Sequence, residues 1–283
     1  MDVGRRRLLA LGTLGLTLGF RAAPDETPWR WGVDYGAATD LVLARACALL
    51  VLEPHHPRPI APLRGPGSSL LGYVSLGEVE QSRPYFAALD AAGALGVVNP
   101  AWPDARMVDL RHPAWRTTIV EWIVPEILAL GYDGLFLDTI DNAEAMERAD
   151  PRANAGMIAA GTALITAIRA RFPKIQIMLN RGYAVLPAVA SLIDHVLGEA
   201  MASRWNFAER RYELLSDSDW QWQADRLRSA GKANPRLTLA TLDYWDPADT
   251  VQVAALYARE RAAGFRPYVA TLALDRLIAE PLG

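Results

Sequence analysis

The stretch Gly131-Tyr-Asp-Gly-Leu-Phe-Leu-Asp-Thr-Ile-Asp-Asn142 carries the pattern on which the rest of the chain is built. The segment before it, 114–130, has apolar residues at helical spacing and stops at Leu130-Gly131, where glycine can take the left-handed conformation that ends a helix. Gly134-Leu-Phe-Leu is then a short unbroken apolar run, the signature of a strand covered on both faces. The run ends on a carboxylate, Asp138, with a second acid, Asp141, just beyond. Helix, glycine, buried strand and polar end together make one βα unit. The polar end is where a parallel sheet opens toward ligands.

Working outward, that unit repeats. Apolar runs at 31–35, 49–53, 71–76, 134–138, 176–180, 196–199, 237–242 and 267–272 alternate with helix-period segments at 39–48, 83–92, 114–130, 154–172, 185–193, 219–230 and 247–263. Ala230-Gly231 and Ala263-Gly264 repeat the helix-ending glycine, and Asp246-Pro247 reads as an N-cap followed by a first-turn proline. The connection 54–69 is too rich in proline and glycine for a good helix. Eight such units fit the roughly 250 residues of a (β/α)8 TIM barrel, so an α/β chain with a single barrel domain over 28–283 is expected. The alternative is an open, doubly wound sheet, but no G-x-G-x-x-G follows the first run.

Residues 1–23 read as a signal peptide: Arg5-Arg6-Arg7 forms a basic start, and the apolar run from Leu8 to Phe20 is too short to span a bilayer. The arginines also fit a twin-arginine signal, and cleavage near Ala22-Ala23 gives an exported protein, periplasmic or extracellular. An uncleaved leader would be the chain's one membrane attachment. The whole chain of 283 residues is 51% hydrophobic and 22% charged, which is ordinary for a globular protein. A net charge of −3 with scattered lysines and arginines leaves no footprint for nucleic acid. Cys47 is the single cysteine, so no intramolecular disulfide forms, and it reads as a core thiol. His55, His56, His112 and His195 show no ligand spacing, so neither metal nor cofactor is expected.

The strand ends collect the polar residues. They carry Asp34 and Tyr35, then Glu53, then Glu78 and Glu80, then Asp138 and Asp141, then Asn180 and Arg181, then Glu199, and finally Asp243 and Tyr244. Carboxylates gathered at one barrel mouth repel one another unless a cation, a proton-transfer role or a polyhydroxyl ligand compensates. Glycoside hydrolysis needs two of them, one protonated and one ionised. Asp138 and Glu199 are the expected pair, since each ends an apolar strand that gives rigid support and partial desolvation. Tyr35, Trp205, Tyr244 and Trp245 supply flat rings for the apolar face of a sugar, while Trp115 and Trp122 lie at helical spacing and are expected to pack on the barrel.

Six short strings in order give a family resemblance over almost the whole mature chain. They are Gly72-Tyr-Val-Ser-Leu-Gly-Glu-Val-Glu80 with Arg83, Val108-Asp-Leu-Arg-His-Pro-Ala-Trp115, Gly131 to Asn142, Leu179-Asn-Arg-Gly182, Gly198-Glu199 and Leu242-Asp-Tyr244. With them the chain resembles the endo-α-1,4-polygalactosaminidases of glycoside hydrolase family 114 and the related hydrolase domain of Pel exopolysaccharide proteins. The resemblance implies a secreted (β/α)8 barrel that cleaves α-1,4-linked galactosamine polymers with retention. Asp138 matches the nucleophile and Glu199 the acid/base, and Asp34, Glu78, Glu80, Asn180, Arg181 and Tyr244 match positions lining the sugar cleft. The expected partner is thus an amino-sugar polysaccharide. Two rival readings fit the same residues: a barrel that binds polysaccharide without turnover, and a metal-dependent phosphodiesterase with Asp138 and Asp141 as ligands.

Overall fold

The computed structural model describes residues 29–100 and 102–281, so the expected leader, 1–23, lies outside the described residues. Eight strands form the central sheet: β1 (Trp31–Asp34), β2 (Leu49–Leu52), β3 (Ser69–Ser75), β4 (Gly134–Asp138), β5 (Gln176–Asn180), β6 (His195–Glu199), β7 (Thr238–Tyr244) and β8 (Arg266–Ala270). They pair in chain order and every pair is parallel. A doubly wound sheet would show a reversal in that order. Here β8 instead returns against β1. The seam is joined by the Trp31 indole N–H, which donates to the Arg266 carbonyl at 2.9 Å, and by the Tyr35 N–H, which donates to the Leu274 carbonyl at 2.7 Å. The fold is a (β/α)8 barrel.

The apolar runs are continuous because the strands have side chains facing both the barrel interior and the helix layer. Leu49, Leu50, Val51 and Leu52 are all buried, as are Leu135, Phe136 and Leu137. Each such side chain contributes about 1.5–3 kcal/mol relative to leaving it in water. Gly134 starts β4 because a Cβ there would meet the Gln176 carbonyl oxygen at 1.9 Å, and Gly131 closes the preceding helix at φ 97°.

Several helix boundaries differ from the sequence reading for physical reasons. The helix Asp217–Ala233 continues through Gly231, where a Cβ would sit 3.2 Å from Leu239. That glycine lets the helix pack close on β7 and does not end it. The last helix starts at Thr250 under Asp249, whose carboxylate accepts the Gln252 N–H at 3.1 Å, while Asp246 caps only the preceding turn through the Ala248 N–H at 2.9 Å. The long segment over 114–130 divides into Pro113–Thr117, a wide π turn over Thr118–Ile123 and Val124–Ala129. Pro125 lacks an N–H and its ring crowds the carbonyl four residues earlier, and the widened turn accommodates both. Trp115 is fully buried and its indole donates to the Leu76 carbonyl at 2.9 Å, whereas Trp122 is exposed. Cys47 is half-buried, and burial pushes its thiol up to about 11.

Two excursions on the carboxyl side of the barrel were not legible in the strand and helix patterns. After β3, Glu78–Glu80, Leu95–Val98 and Ala105–Val108 form a three-stranded antiparallel sheet with Ala105–Val108 in the middle. After β6, Ser203–Asn206 and Arg211–Leu214 form a hairpin. A further helix, Asn142–Ala149, follows β4. Among the described residues no helix is long and apolar enough to cross a membrane.

Candidate active site

Asp138, Asn180 and Glu199 are the last residues of the neighbouring strands β4, β5 and β6. Side chains alternate along a strand, so these three share the interior side with Tyr73 and Phe136, whose rings stack 6.1 Å apart. The Asn180 amide nitrogen donates to Asp138 Oδ1 at 2.8 Å and to Glu199 Oε2 at 2.5 Å. One NH2 group thus spends its two protons on two carboxyls, and the two accepting oxygens lie at most about 5.3 Å apart, the sum of those distances. Tyr244 on β7 donates its hydroxyl to the other Glu199 oxygen at 2.5 Å, and the Tyr73 phenol stands beside Asp138.

Burial, and then the charge of Glu199, push the Asp138 carboxyl up to about 7, against the pull of the Asn180 amide and the Thr139 N–H. Two carboxyls this close do not both ionise readily, so they hold a proton as a pair. Burial raises the phenols of Tyr35, Tyr73 and Tyr244 well above 10, with Asp138 or Glu199 adding to the effect in each. All three therefore remain protonated donors beside the acids.

The backbone behind these side chains is strained in one repeated way. Thr139, Arg181 and Ala200, the residues directly after Asp138, Asn180 and Glu199, have φ of 59°, 49° and 51°. Left-handed backbone at a non-glycine residue costs on the order of 1–3 kcal/mol and persists where surroundings hold it. At Thr139 the side-chain oxygen does the holding: it lies 2.8 Å from the Ser75 hydroxyl, donates to the Asp138 carbonyl at 2.8 Å and accepts the Gly77 N–H at 2.8 Å. The turn after Glu199 is held from two sides. Asp243 accepts the Ala202 and Ser203 N–H groups at 2.7 and 2.8 Å, while Gln223, itself bonded to the Tyr183 hydroxyl, donates to the Ala200 carbonyl at 2.8 Å.

The other expected site residues divide. Tyr35 joins the cluster, its ring 5.2 Å from Tyr73. Glu78 is half-buried, accepts from Asn99 at 2.6 Å, and is raised by burial. Glu53 and Glu80 do not stand free: Arg83 pairs with them at 2.8 and 3.3 Å. Asp141 and Arg181 approach to 3.7 Å. Trp205 packs edge-on to Tyr212 at 4.8 Å in the hairpin after β6, and Trp245 lies 6.1 Å from the same tyrosine ring. Asp34 is fully buried and accepts the Gly36 N–H at 2.7 Å, on the side of β1 opposite Tyr35. It shapes the turn after β1 and does not face the cluster. Tyr73 and Thr139 escaped the sequence reading as site residues, and Asp243, named there only as a strand-end acid, braces the turn after Glu199. For Tyr73 the signal was available, since it lies two residues before Ser75 at the end of β3. Among the described residues no three His, Cys, Asp or Glu side chains group as a metal would require.

The model of glycoside-hydrolase family GH114 matches residues 19–281. The chain belongs to this family. It is therefore a glycoside hydrolase, as the barrel with its strand-end acids also indicates. Its fold is similar to the glycoside hydrolase domain of PelA from Pseudomonas aeruginosa, with 28% identity and a TM-score of 0.79 over 90% of this chain and 100% of that one. Ega3 of Aspergillus fumigatus, solved in complex with galactosamine, shares the fold at 16% identity and a TM-score of 0.66, over 90% of this chain and 94% of that one. An uncharacterized protein of Deinococcus radiodurans is 30% identical over 88% of this chain and 82% of its own length.

Proposed function

We propose that this family member hydrolyses α-1,4-linked galactosamine and N-acetylgalactosamine polymers with retention, Asp138 acting as nucleophile and Glu199 as acid/base. The observation that carries the reading is the Asn180 amide shared by both carboxyls, which keeps their facing oxygens within about 5.3 Å of each other. Retaining glycosidases hold their carboxyls about 5–5.5 Å apart, whereas inverting ones leave roughly 6.5–9.5 Å for a water molecule.

In the first step Asp138 attacks the anomeric carbon, the bond from that carbon to the leaving oxygen breaks, and the proton held by the pair passes from Glu199 to that oxygen. In the second, Glu199 takes a proton from water, the resulting oxygen attacks the same carbon, and Asp138 leaves as carboxylate. Tyr244 and Tyr73 orient the two acids and Asn180 holds them in register. The family resemblance supports the substrate class, and the galactosamine in the Ega3 complex agrees with it. Uncompensated acid at Asp138, Glu199 and Glu78 suits a polymer that carries free amines. Export through the leader at 1–23 belongs to the same reading, and N-terminal sequencing of secreted protein tests it.

The decisive experiment is mass spectrometry of products from partially deacetylated α-1,4 N-acetylgalactosamine polymer, with proton NMR of the first anomer released. Galactosamine oligomers released as the α-anomer are expected. Release of the β-anomer would remove the retaining mechanism, and tight binding without any product would favour a binding protein instead.

A further inference from the structure

Two large, exposed aromatic side chains meet where the two excursions on the carboxyl side of the barrel approach each other. Trp102 stands in the turn between Leu95–Val98 and Ala105–Val108, and Phe207 at the tip of the hairpin after β6. Their ring centroids are 6.4 Å apart with planes at 90°, yet Trp102 remains 55% exposed and Phe207 62% exposed. One excursion rises from β3 and the other from β6, and between those strands lie β4 and β5, which end in Asp138 and Asn180. The ring pair therefore joins the two excursions over that side of the mouth.

Both rings are held in position. The Trp102 N–H donates to the Asn99 carbonyl at 3.1 Å, and the Asn99 side chain donates to Glu78. Beside Phe207, the Asn206 side chain accepts the N–H groups of Ala208 and Glu209, both at 3.0 Å, which fixes the hairpin tip. Fixed backbone displaying half-exposed aromatic rings beside a cleft is the arrangement of a ligand contact, since exposing such surface to water has no folding benefit.

We propose that Trp102 and Phe207 form a remote sugar-stacking subsite for the polymer, outside the pair of sugars that undergoes cleavage. This rests on the polymer reading above. A galacto-configured ring presents one face of C–H groups only, which packs on an aromatic plane, and a free ammonium on the sugar adds attraction to the face of an indole. The subsite would engage long chains and miss short ones.

Calorimetric binding in an Asp138→Asn background tests this with a trimer and a nonamer of α-1,4-linked galactosamine. Trp102→Ala and Phe207→Ala are each expected to weaken nonamer binding about tenfold, with a much smaller change for the trimer, and Trp102→Phe to restore most of the loss. Val251→Ala, which alters a side chain 81% exposed on the helix Thr250–Ala262, serves as the control expected to change neither. If both alanine variants bind the nonamer as tightly as the parent, or lose trimer and nonamer affinity equally, the subsite is overturned while the polymer reading stands. If the parent binds neither oligomer, the polymer reading fails and the subsite falls with it. Melting temperatures equal to the parent's confirm that folding is not what was measured.

Discussion

Two pairs of neighbouring carboxyls among the described residues, one at the mouth and one sealed behind the barrel wall, differ in what surrounds them. Asp138 and Glu199 sit half-buried at the mouth, share one amide donor, and have a tyrosine on each acid. Asp243 and Glu260 lie between β7 and the helix Thr250–Ala262, 1% and 0% exposed. There Asp243 accepts from the Ala202 and Ser203 backbone and Glu260 from the Trp220 indole at 2.6 Å, while one oxygen of each acid has no hydrogen-bond partner. Burial is the first cause of every shift: Asp138 stands at about 7, Asp243 at about 6 and Glu260 at about 8. A raised carboxyl is thus common to both pairs and does not by itself mark a reaction centre. What separates them is access to the mouth and a donor that holds both acids toward one point.

The largest effect should come from the mouth pair. Asp138→Asn and Glu199→Gln are each expected to lower kcat about 10³-fold or more in a reducing-end assay, with oligomer binding retained. Asp243→Asn keeps an oxygen for the two N–H groups and should cost about tenfold at most. Equal losses at Asp243 and Asp138 would erase the distinction between the pairs.

Next is the shared donor. Asn180→Ala removes a hydrogen bond that lowers Asp138, so the nucleophile should protonate at higher pH. The acidic limb of the pH–rate profile is expected to move upward, with kcat down about 10²-fold. A lower kcat on an unmoved limb would mean that Asn180 does not tune the pair.

The sealed pair should register in stability. Glu260 has a folded value of about 8 and an unfolded value near 4.5, so between those pH values the folded state holds more protons. Stability should then fall as pH rises from about 4.5 to 8, by an amount on the order of a few kcal/mol from this residue. Glu260→Gln keeps an acceptor for the Trp220 indole and should raise Tm at pH 8 with little change at pH 5. Calorimetry at the two pH values decides it, and a uniform drop in Tm would show that the carboxyl charge is not the cost.

The smallest effect is expected at Asp141, whose partly exposed pairing with Arg181 at 3.7 Å is worth about 0–1 kcal/mol. Asp141→Asn should raise KM only a few-fold. A loss approaching that of Asp138→Asn would move Asp141 into the reacting centre.

Much of the barrel was legible because its grammar is local. An unbroken apolar run, a helix-ending glycine and a polar strand end each follow from backbone geometry and burial within a few residues, and Gly131 to Asn142 shows all three. The same locality misread Gly231, whose neighbour across space is Leu239 and whose role is close packing. It also missed the short antiparallel strands of the excursions, which exist because they pair with one another on the barrel rim.

The sequence by itself determined eight strands with helical segments in most of the connections between them, the acids that end the strands, and hence the candidates Asp138 and Glu199. Only the tertiary structure decided which of those acids face one another. Adjacent residues on a strand point to opposite sides, so Tyr244 reaches Glu199 while Asp243 turns to the helix layer, and Tyr35 joins the cluster while Asp34 is sealed away. Whether Arg83 would neutralise Glu53, or one asparagine amide would bind two carboxyls, depends on contacts between residues far apart in the chain. Closure of the barrel brings those residues together, and no short-range pattern encodes the distances it creates.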